Sequence, residues 1–396
     1  MSLLTAEQLQ IQQTAREFVA KHIIPVAAEY DRKGEFHPFI LAEAKKYNYF
    51  AMAVPKEYGG LGYDGMTQGV VLEEWGYGCT GFGTTLAASI LSMDSVMVAG
   101  TDAQKKLFFA PMVNGEIGSF ALTEPGAGSD ASAGTATANK EGEEYVLNAT
   151  KCFISNGGYA KVYVVFASTD RTKGVKGLTA FIVEREREGL VVGATEHKLG
   201  IRSSNTIELL LKNVRIPADH LLGKEGEGMK IAMMTLDLGR QGIASISVGL
   251  AQRALDECVK YLRKKFPDPK VQPGQALQFK LADMEIQTQA ARQLLYHTLA
   301  MKDAGLPITK ESAITKTFCG DTAMRVAQDA LEILGEYGYS TDCVVEKLVR
   351  DAKIMQIYEG TNQIQRLVVG RAILSEPVAA KKPEDTAKTS GLRGAA

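Results

Sequence analysis

Short β-prone runs crowd the middle of this 396-residue chain, and helical patterns occupy both flanks. Between about residues 119 and 226 the runs Tyr145-Val146-Leu147, Tyr163 to Ala167, Thr179 to Val183 and Thr206 to Leu211 alternate with clusters of Gly, Asn, Asp and Lys. That spacing is the pattern of a small sandwich or barrel. Upstream, Leu9, Ile11, Phe18 and Val19 interleave with Glu7, Gln12, Arg16 and Glu17 at helical spacing, and Leu86 to Val98 is almost wholly apolar or small, as in a buried helix. Downstream, long helices are expected over Met229–Lys265, Ala276–Ala304, Glu311–Leu334 and Asp342–Ile357. The fold class is therefore α+β multidomain. A helical N-terminal domain (1–118) precedes a small β-barrel or sandwich domain (119–228), and an antiparallel four-helix bundle (229–375) follows. The tail 376–396, rich in Ala, Lys, Pro, Thr and Gly, is expected to be disordered. A β unit between two helical units leaves clefts at both junctions, where ligands bind.

Several function classes are excluded at this level. Net charge is −1, so the chain carries no electrostatic footprint for nucleic acid or an acidic membrane surface. No apolar run is expected to reach the length of a membrane span. The N-terminus lacks a basic start followed by an apolar stretch, and its acidic residues argue against a transit peptide. Cys79, Cys152, Cys258, Cys319 and Cys343 are odd in number, scattered and without CxxC, and the histidines lack HExxH spacing. They read as free thiols in a reducing compartment, with no metal site, so a bacterial-type cytoplasmic enzyme is expected.

Two segments carry chemistry. In Ile357-Tyr358-Glu359-Gly360-Thr361-Asn362-Gln363-Ile364-Gln365-Arg366, a single carboxylate stands between an apolar run and a Gly-Thr turn. Dry surroundings would raise its pKa toward working pH, as a general base requires. Gly360 permits close approach of a ligand to the backbone, and Thr361 or Asn362 can cap a following helix whose Ile364, Leu367 and Val368 share a face. The bland alternative is a solvated glutamate in a helix–helix turn. The second segment, Leu122-Thr123-Glu124-Pro125-Gly126-Ala127-Gly128-Ser129-Asp130, is a Gly-rich loop with free backbone N–H groups for an anion or a polar ring edge. It is neither a Walker nor a Rossmann fingerprint.

These two segments, taken with the α–β–α order, resemble the acyl-CoA dehydrogenases, most nearly the short-chain, bacterial-type members. Further matches are Lys151 to Asn156, Leu199 to Ser204, Leu236 to Arg240, Gln278 to Asp283 and Arg350 to Ile354, and the resemblance spans roughly residues 5 to 374. It implies an FAD-dependent enzyme of fatty or carboxylic acid degradation. Glu359 would be the base that removes the proton α to a thioester, assisted by its own backbone N–H. Phe120, Leu122, Thr123, Gly128, Ser129, Phe153, Ile154 and Ser155 would hold the flavin, with Thr123 and Ser155 bonding the ring edge. Gln275, Glu332, Leu334, Gly335, Glu336, Thr361 and Gln363 would contact FAD as well. Ser129, Asp237, Arg240, Tyr358 and Gly360 would contact the acyl-CoA, although Asp237 and Arg240 also read simply as an i, i+3 salt bridge. Electron-transfer flavoprotein would accept the electrons, and the assembly would be a homotetramer, a dimer of dimers with FAD bridging two subunits.

The sequence departs from the family in places. Phe153 and Ser155 stand where relatives commonly have Trp and Thr, and Glu332 and Glu336 replace a Gln and a Gly. The usual Arg-x-x-Phe-Gly is missing; Lys264 or Lys265 takes the arginine's place without its planar fork. Asp94 is an acid in an otherwise apolar helix, where relatives are neutral. It reads either as a helix acid bonded to Ser92, Ser95 or a basic neighbour, or as a polar feature of the acyl pocket. Alicyclic (cyclohexane- or cyclohexene-carboxyl) acyl-CoA dehydrogenases of the family use an aspartate in this region. Three readings therefore stand side by side: an acyl-CoA dehydrogenase of straight-chain or alicyclic substrates, an oxidase on the same fold, and a flavin- and acyl-CoA-binding protein without turnover.

Overall fold

The structure, a computed structural model, describes residues 3–268 and 270–375. The expected tail at 376–396 lies outside the described residues. The N-terminal helices are α1 (Ala6–Phe18), α2 (Ile24–Lys33), α3 (Phe39–Lys45), α4 (Gly65–Gly78), α5 (Thr80–Ala99) and α6 (Asp102–Val113). Thr5 and Gln8 close a capping box at the start of α1, satisfying two backbone N–H groups the helix cannot. Helix α5 corrects one expectation, because it is long and apolar enough by composition to cross a membrane. Most of it is buried inside the protein, so its apolarity reflects a place in the core. Several of its hydroxyls bond within the helix: Thr84 donates to the Thr80 carbonyl, Ser92 to Ser89 and Ser95 to Leu91.

The middle domain holds β1 (Gly118–Ala121), β2 (Thr137–Glu141), β3 (Glu144–Ser155), β4 (Val162–Ser168), β5 (Leu178–Glu184), β6 (Leu190–Thr195), β7 (Thr206–Pro217) and β8 (Leu221–Leu222). They form one sheet in the order β6-β7-β3-β2-β4-β5-β8, with β1 parallel to β4. The sandwich-or-barrel expectation is met by this sheet folding over itself. Tyr145, Leu147, Leu209 and Leu211 from β3 and β7 share a core with Tyr163, Val165, Phe181 and Val183 from β4 and β5. The alternate residues Val164, Phe166, Ala180 and Ile182 face the N-terminal helices. Both faces of β4 and β5 are buried, which is why these strands read as continuous apolar runs. Asn156, just after β3, ties the two domains: its amide donates to the Thr85 carbonyl of α5 (2.9 Å) and to the Gly118 carbonyl of β1 (3.2 Å).

The C-terminal domain comprises α7 (Gly228–Lys265), α8 (Gln275–Asp303), α9 (Thr309–Leu334), α10 (Val344–Ile354) and α11 (Asn362–Ser375). α7 packs directly on α4, and a Cβ on Gly249 would lie 2.0 Å from the Glu73 carbonyl oxygen, so only glycine allows the crossing. Helix α10 is shorter than expected because Met355, Gln356 and Ile357 tighten into i→i−3 turns before the left-handed step at Glu359. Thr361 caps α11 through Ile364 N–H (3.2 Å), as its sequence suggested. Leu367 on α11 stays exposed in the single chain.

Candidate active site

Between α10 and α11 the backbone makes two successive left-handed steps, at Glu359 (φ 51°) and Gly360 (φ 89°). For a residue with a side chain this costs on the order of 1 kcal/mol, so surrounding contacts must impose it. Those contacts are present. Gln365 donates to the carbonyls of Glu359 (3.0 Å) and Gly360 (3.2 Å), and Lys316 Nζ donates to the Gly360 carbonyl (2.9 Å) and to Asn362 Oδ1 (3.0 Å). Tyr358 Oη lies 3.3 Å from Thr84 Oγ1 on α5. The Glu359 carboxylate keeps an opening along the cleft, but its Oε2 is buried and finds no hydrogen-bond partner among the described residues. Burial pushes its pKa up to about 7; the negative charge of Asp94 adds to this, and the cations Lys316 and Arg240 oppose it. The solvated-glutamate reading fails. Burial also brings Lys316 down to about 8 despite the pull of Glu359.

Asp94 lies on the face of α5 shared with Ala87, Ile90 and Leu91, turned toward α7. Burial raises it to about 6, with Lys302 opposing. Its neighbours Ser92 and Ser95 spend their hydroxyls on the helix backbone, and Asp94 Oδ2 has no partner among the described residues. The helix-bonded reading therefore does not hold for that oxygen. Asp94 lines a narrow cavity between α4, α5, α7 and α8 with Leu238, Gly239, Gln241 and Lys302. Gly239 lines this cavity and packs against the carboxylate on its other side: a Cβ there would lie 2.7 Å from Glu359 Oε2 and 2.5 Å from Leu91 Cδ1, so only the width of a glycine separates the two. Larger hollows lie elsewhere, one of about 560 Å³ between α9 and α11 and one of about 970 Å³ between α1, α4, α7 and α8. Neither is lined by Glu359 or Asp94, and neither holds their combination of buried, partnerless acids. Because Asp94 raises the pKa of Glu359, the Asp94→Asn protein should become active at lower pH. The acid limb of its kcat/KM profile, near pH 7 in the unaltered protein, should move down, and an unmoved limb would show that the two carboxyls are not electrostatically linked.

Arg240 and Asp237 do form the i, i+3 salt bridge (2.5 Å), and Thr309 also donates to Asp237 (2.6 Å). Arg240 is nonetheless part of the site: it is buried, its Nε is unpaired among the described residues, and its charge reaches Glu359.

The second segment, Leu122 to Ser129, is held from behind. Lys151 Nζ, on β3, donates to the Leu122 carbonyl (3.1 Å) and to Glu124 Oε1 (2.7 Å), and Cys152 N–H donates to the Thr123 carbonyl (3.0 Å). Glu124 also accepts from the Thr135 N–H (2.5 Å) and hydroxyl (2.9 Å). Burial alone would raise Glu124, but Lys151 and Thr135 outweigh it and hold the carboxyl below its ordinary value. The outer side is open. A Cβ on Gly126 or Gly128 would meet nothing within 4 Å, Ser129 is exposed, and Thr123 and Ser155 are partly exposed. A β-bulge between Lys151 and Ile154 forces Phe153 to φ 56° and turns its ring outward, 63% exposed, while Ile154 is buried in the sheet core. Phe120, Leu122 and Tyr358 pack on one hydrophobic core, so this open aromatic ledge and the Glu359 turn share a foundation. An outward aromatic beside free hydroxyls and an unfilled glycine loop fits a planar, polar-edged ring such as a flavin.

The remaining residues expected to contact the cofactor divide. Thr361 and Gln363 belong to the Glu359 turn. Gln275 opens α8, and Glu332, Leu334, Gly335 and Glu336 close α9. From Lys316, beside the turn, to Leu334 is 18 residues of α9, about 27 Å at 1.5 Å per residue. One chain therefore does not bring this group to the turn. The extra charge of Glu332 is answered within the chain, since Lys280 binds it as well as Asp329. Lys264 and Lys265 sit exposed in the last turn of α7, a favourable place for cations, and Lys265 Nζ lies 5.6 Å from the Tyr261 ring centre.

Four contributors escaped the sequence reading: Lys316, Gln241, Lys302 and Asn156. Lys316 had a usable signal, since Cys319, Gly320 and Ala323 at i+3, i+4 and i+7 define a core stripe on which a lysine is out of place.

Comparison with known proteins agrees along most of the chain. Residues 5–116, 119–214 and 226–374 match the N-terminal, middle and C-terminal domains of acyl-CoA dehydrogenase. The fold and the carboxylate turn thus define a three-domain flavoenzyme architecture. The mitochondrial short-chain specific acyl-CoA dehydrogenase of Rattus norvegicus is 43% identical, over 92% of this chain and 89% of that protein. The structure of butyryl-CoA dehydrogenase from Megasphaera elsdenii superposes with a TM-score of 0.90 at 41% identity, covering 94% of this chain and all (100%) of that one. A chain from a study of the electron transferring flavoprotein of Acidaminococcus fermentans gives 0.91 at 41% identity, covering 95% and 100%. The chain belongs to the acyl-CoA dehydrogenase family, whose members are FAD flavoproteins and oxidoreductases acting on CH–CH donors.

Proposed function

We propose that the chain converts a short acyl-CoA to its 2-enoyl-CoA, with Glu359 removing the α proton. The observation that carries this reading is the half-buried Glu359 carboxylate, its Oε2 buried and partnerless among the described residues, raised to about 7 and built on the same core as the open aromatic ledge. Bound FAD supplies the acceptor for the hydride leaving the β carbon. The protein's part is to orient and to move the proton. Lys316, Asn362 and Gln365 fix the turn, so that the carboxylate meets the α carbon without reorganising. The backbone N–H of Glu359, which no hydrogen bond among the described residues uses, is available to the thioester carbonyl, where negative charge grows as the proton leaves. Arg240 and Lys316 stabilise the ionised base before transfer. Thr123, Ser155 and Phe153 would hold the ring edge and cover it, and Asp237, Arg240 and Ser129 would meet the CoA arm.

The experiment is anaerobic mixing of purified holoenzyme with butyryl-, hexanoyl-, isobutyryl- and cyclohexanecarboxyl-CoA while flavin absorbance is followed. Rapid bleaching by a short straight-chain thioester is expected; if no thioester bleaches the flavin, the dehydrogenase reading falls. The cyclohexane arm tests the alicyclic reading, favoured by the second buried acid whose charge reaches Glu359. Repeating the assay in air, with hydrogen peroxide measured, separates an oxidase from an enzyme that passes electrons to electron-transfer flavoprotein, the acceptor suggested by the Acidaminococcus relative. We assign the chain to a homotetramer in which FAD bridges two subunits. The 27 Å gap between the two groups of cofactor residues supports this, about as long as α9 from Lys316 to Leu334, as does the apolar groove of Phe318, Val369 and Ile373 left open on the single chain. The free, buried cysteines suit a cytoplasmic setting.

A further inference from the structure

The proton transfer above uses Glu359 and leaves other buried polar atoms without a role. Asp94 is 9% exposed and Gln241 2%, yet Asp94 Oδ2 and both amide atoms of Gln241 lack hydrogen-bond partners among the described residues. Unpaired polar atoms at such depth are costly, and three in one place need an explanation. They come from different helices, α5 and α7, but line the same narrow cavity. Leu72, Ala87, Ile90 and Leu299 supply its apolar wall, Lys302 and Gln68, whose amide donates to the Tyr63 carbonyl, also line it, and only the glycine at 239 stands between it and the Glu359 carboxylate. The free space is about 20 Å³, room for roughly one water-sized group.

The geometry points to a specificity pocket for a short acyl-CoA that carries a hydroxyl at its far end, read by Asp94 and Gln241. This rests on the chain being an acyl-CoA dehydrogenase whose acyl group extends from Glu359 past Gly239. The chemistry selects the hydroxyl. It donates to Asp94 and accepts from the Gln241 amide, so one group of the right size answers both side chains. A terminal methyl leaves all three atoms unpaired. A carboxylate would face Asp94 and an ammonium would face Lys302, the cation lining the same space. A cyclohexane ring exceeds the volume and pairs with none of the atoms.

The test compares 4-hydroxybutyryl- with butyryl-CoA, and 5-hydroxypentanoyl- with pentanoyl-CoA, by anaerobic flavin bleaching of the holoenzyme. For at least one pair, kcat/KM should favour the hydroxylated thioester by on the order of 10²-fold, since the analogue leaves a buried acid and a buried amide unpaired. The difference should lie mainly in KM, because the contact is remote from the reacting carbons. In Gln241→Met, of similar volume, the preference should shrink at least tenfold. The wild-type ratio is decisive without any variant. If butyryl- and pentanoyl-CoA are oxidised as well as their hydroxylated partners or better, the pocket holds water and the inference is overturned while the dehydrogenase reading stands. An unchanged preference in Gln241→Met removes Gln241 from recognition. If none of the four bleaches the flavin while other acyl-CoAs do, the inference alone fails; if no acyl-CoA does, the dehydrogenase reading fails with it.

Discussion

Replacing Glu359 with glutamine should leave acyl-CoA binding within a few-fold of normal and slow flavin bleaching by on the order of 10⁴-fold. Glutamine keeps the size and the polar atoms of the side chain but has no lone pair basic enough to take the α proton. The turn should persist, because its restraints act on main-chain carbonyls and on Asn362, not on the carboxylate. Binding is read from the spectral shift of the oxidised flavin on adding thioester, and turnover from stopped-flow bleaching. The neighbour to watch is Asp94, a second buried acid whose charge is felt at Glu359. A loss of only a few-fold would sink Glu359 as the base, and a further collapse in Glu359→Gln/Asp94→Asn would transfer the role to Asp94.

The second large effect belongs to Lys151. Its ammonium is 1% exposed and its partner Glu124 5%, and among the described residues no second cation bonds to that carboxylate. Lys151→Met keeps the length of the side chain and removes the charge. A buried carboxylate left unpaired typically costs about 3–5 kcal/mol. The loss should fall on the flavin-facing loop, since Lys151 also supports the Leu122 carbonyl and Glu124 anchors Thr135 and Ala136. The expected product is a folded, largely colourless protein with a melting temperature lowered by several degrees. Absorbance at the flavin band after purification and a thermal melt with added FAD measure it. Full flavin content with unchanged melting would show that the pair is dispensable. Lys151→Met/Glu124→Gln should recover part of the stability, because both charges are then gone.

Much of this was legible in the sequence, for reasons that can be named. The long helices α7, α8 and α9 announced themselves because apolar residues recur at helical spacing over many turns, and α5 because it is apolar all round. Strands β4 and β5 were readable as continuous apolar runs, whereas β1, β2, β6 and β8 are short or half-exposed and their pattern is weak. The end of α10 was misplaced by three residues, 357 instead of 354, because Met355 to Ile357 keep a helical pattern in sequence but close i→i−3 turns that lead into the Glu359 turn. Glu359 itself stood out by its setting. Gln241 did not, since a glutamine between Arg240 and Gly242 carries no local sign that both its amide atoms end up unpaired. Asp94 was visible as an anomaly, but whether Ser92 and Ser95 would satisfy it depended on where their hydroxyls turned.

The cavity beside Glu359 is walled entirely by α4, α5, α7 and α8, with no residue from the β domain or from the turn that carries the base. On the proposed reading, substrate choice and redox chemistry fall to different parts of the chain. Mutations that reshape the helical wall can accumulate under selection for a new acid while cofactor and base stay intact. Such a layout lets a lineage change its diet without passing through an inactive ancestor.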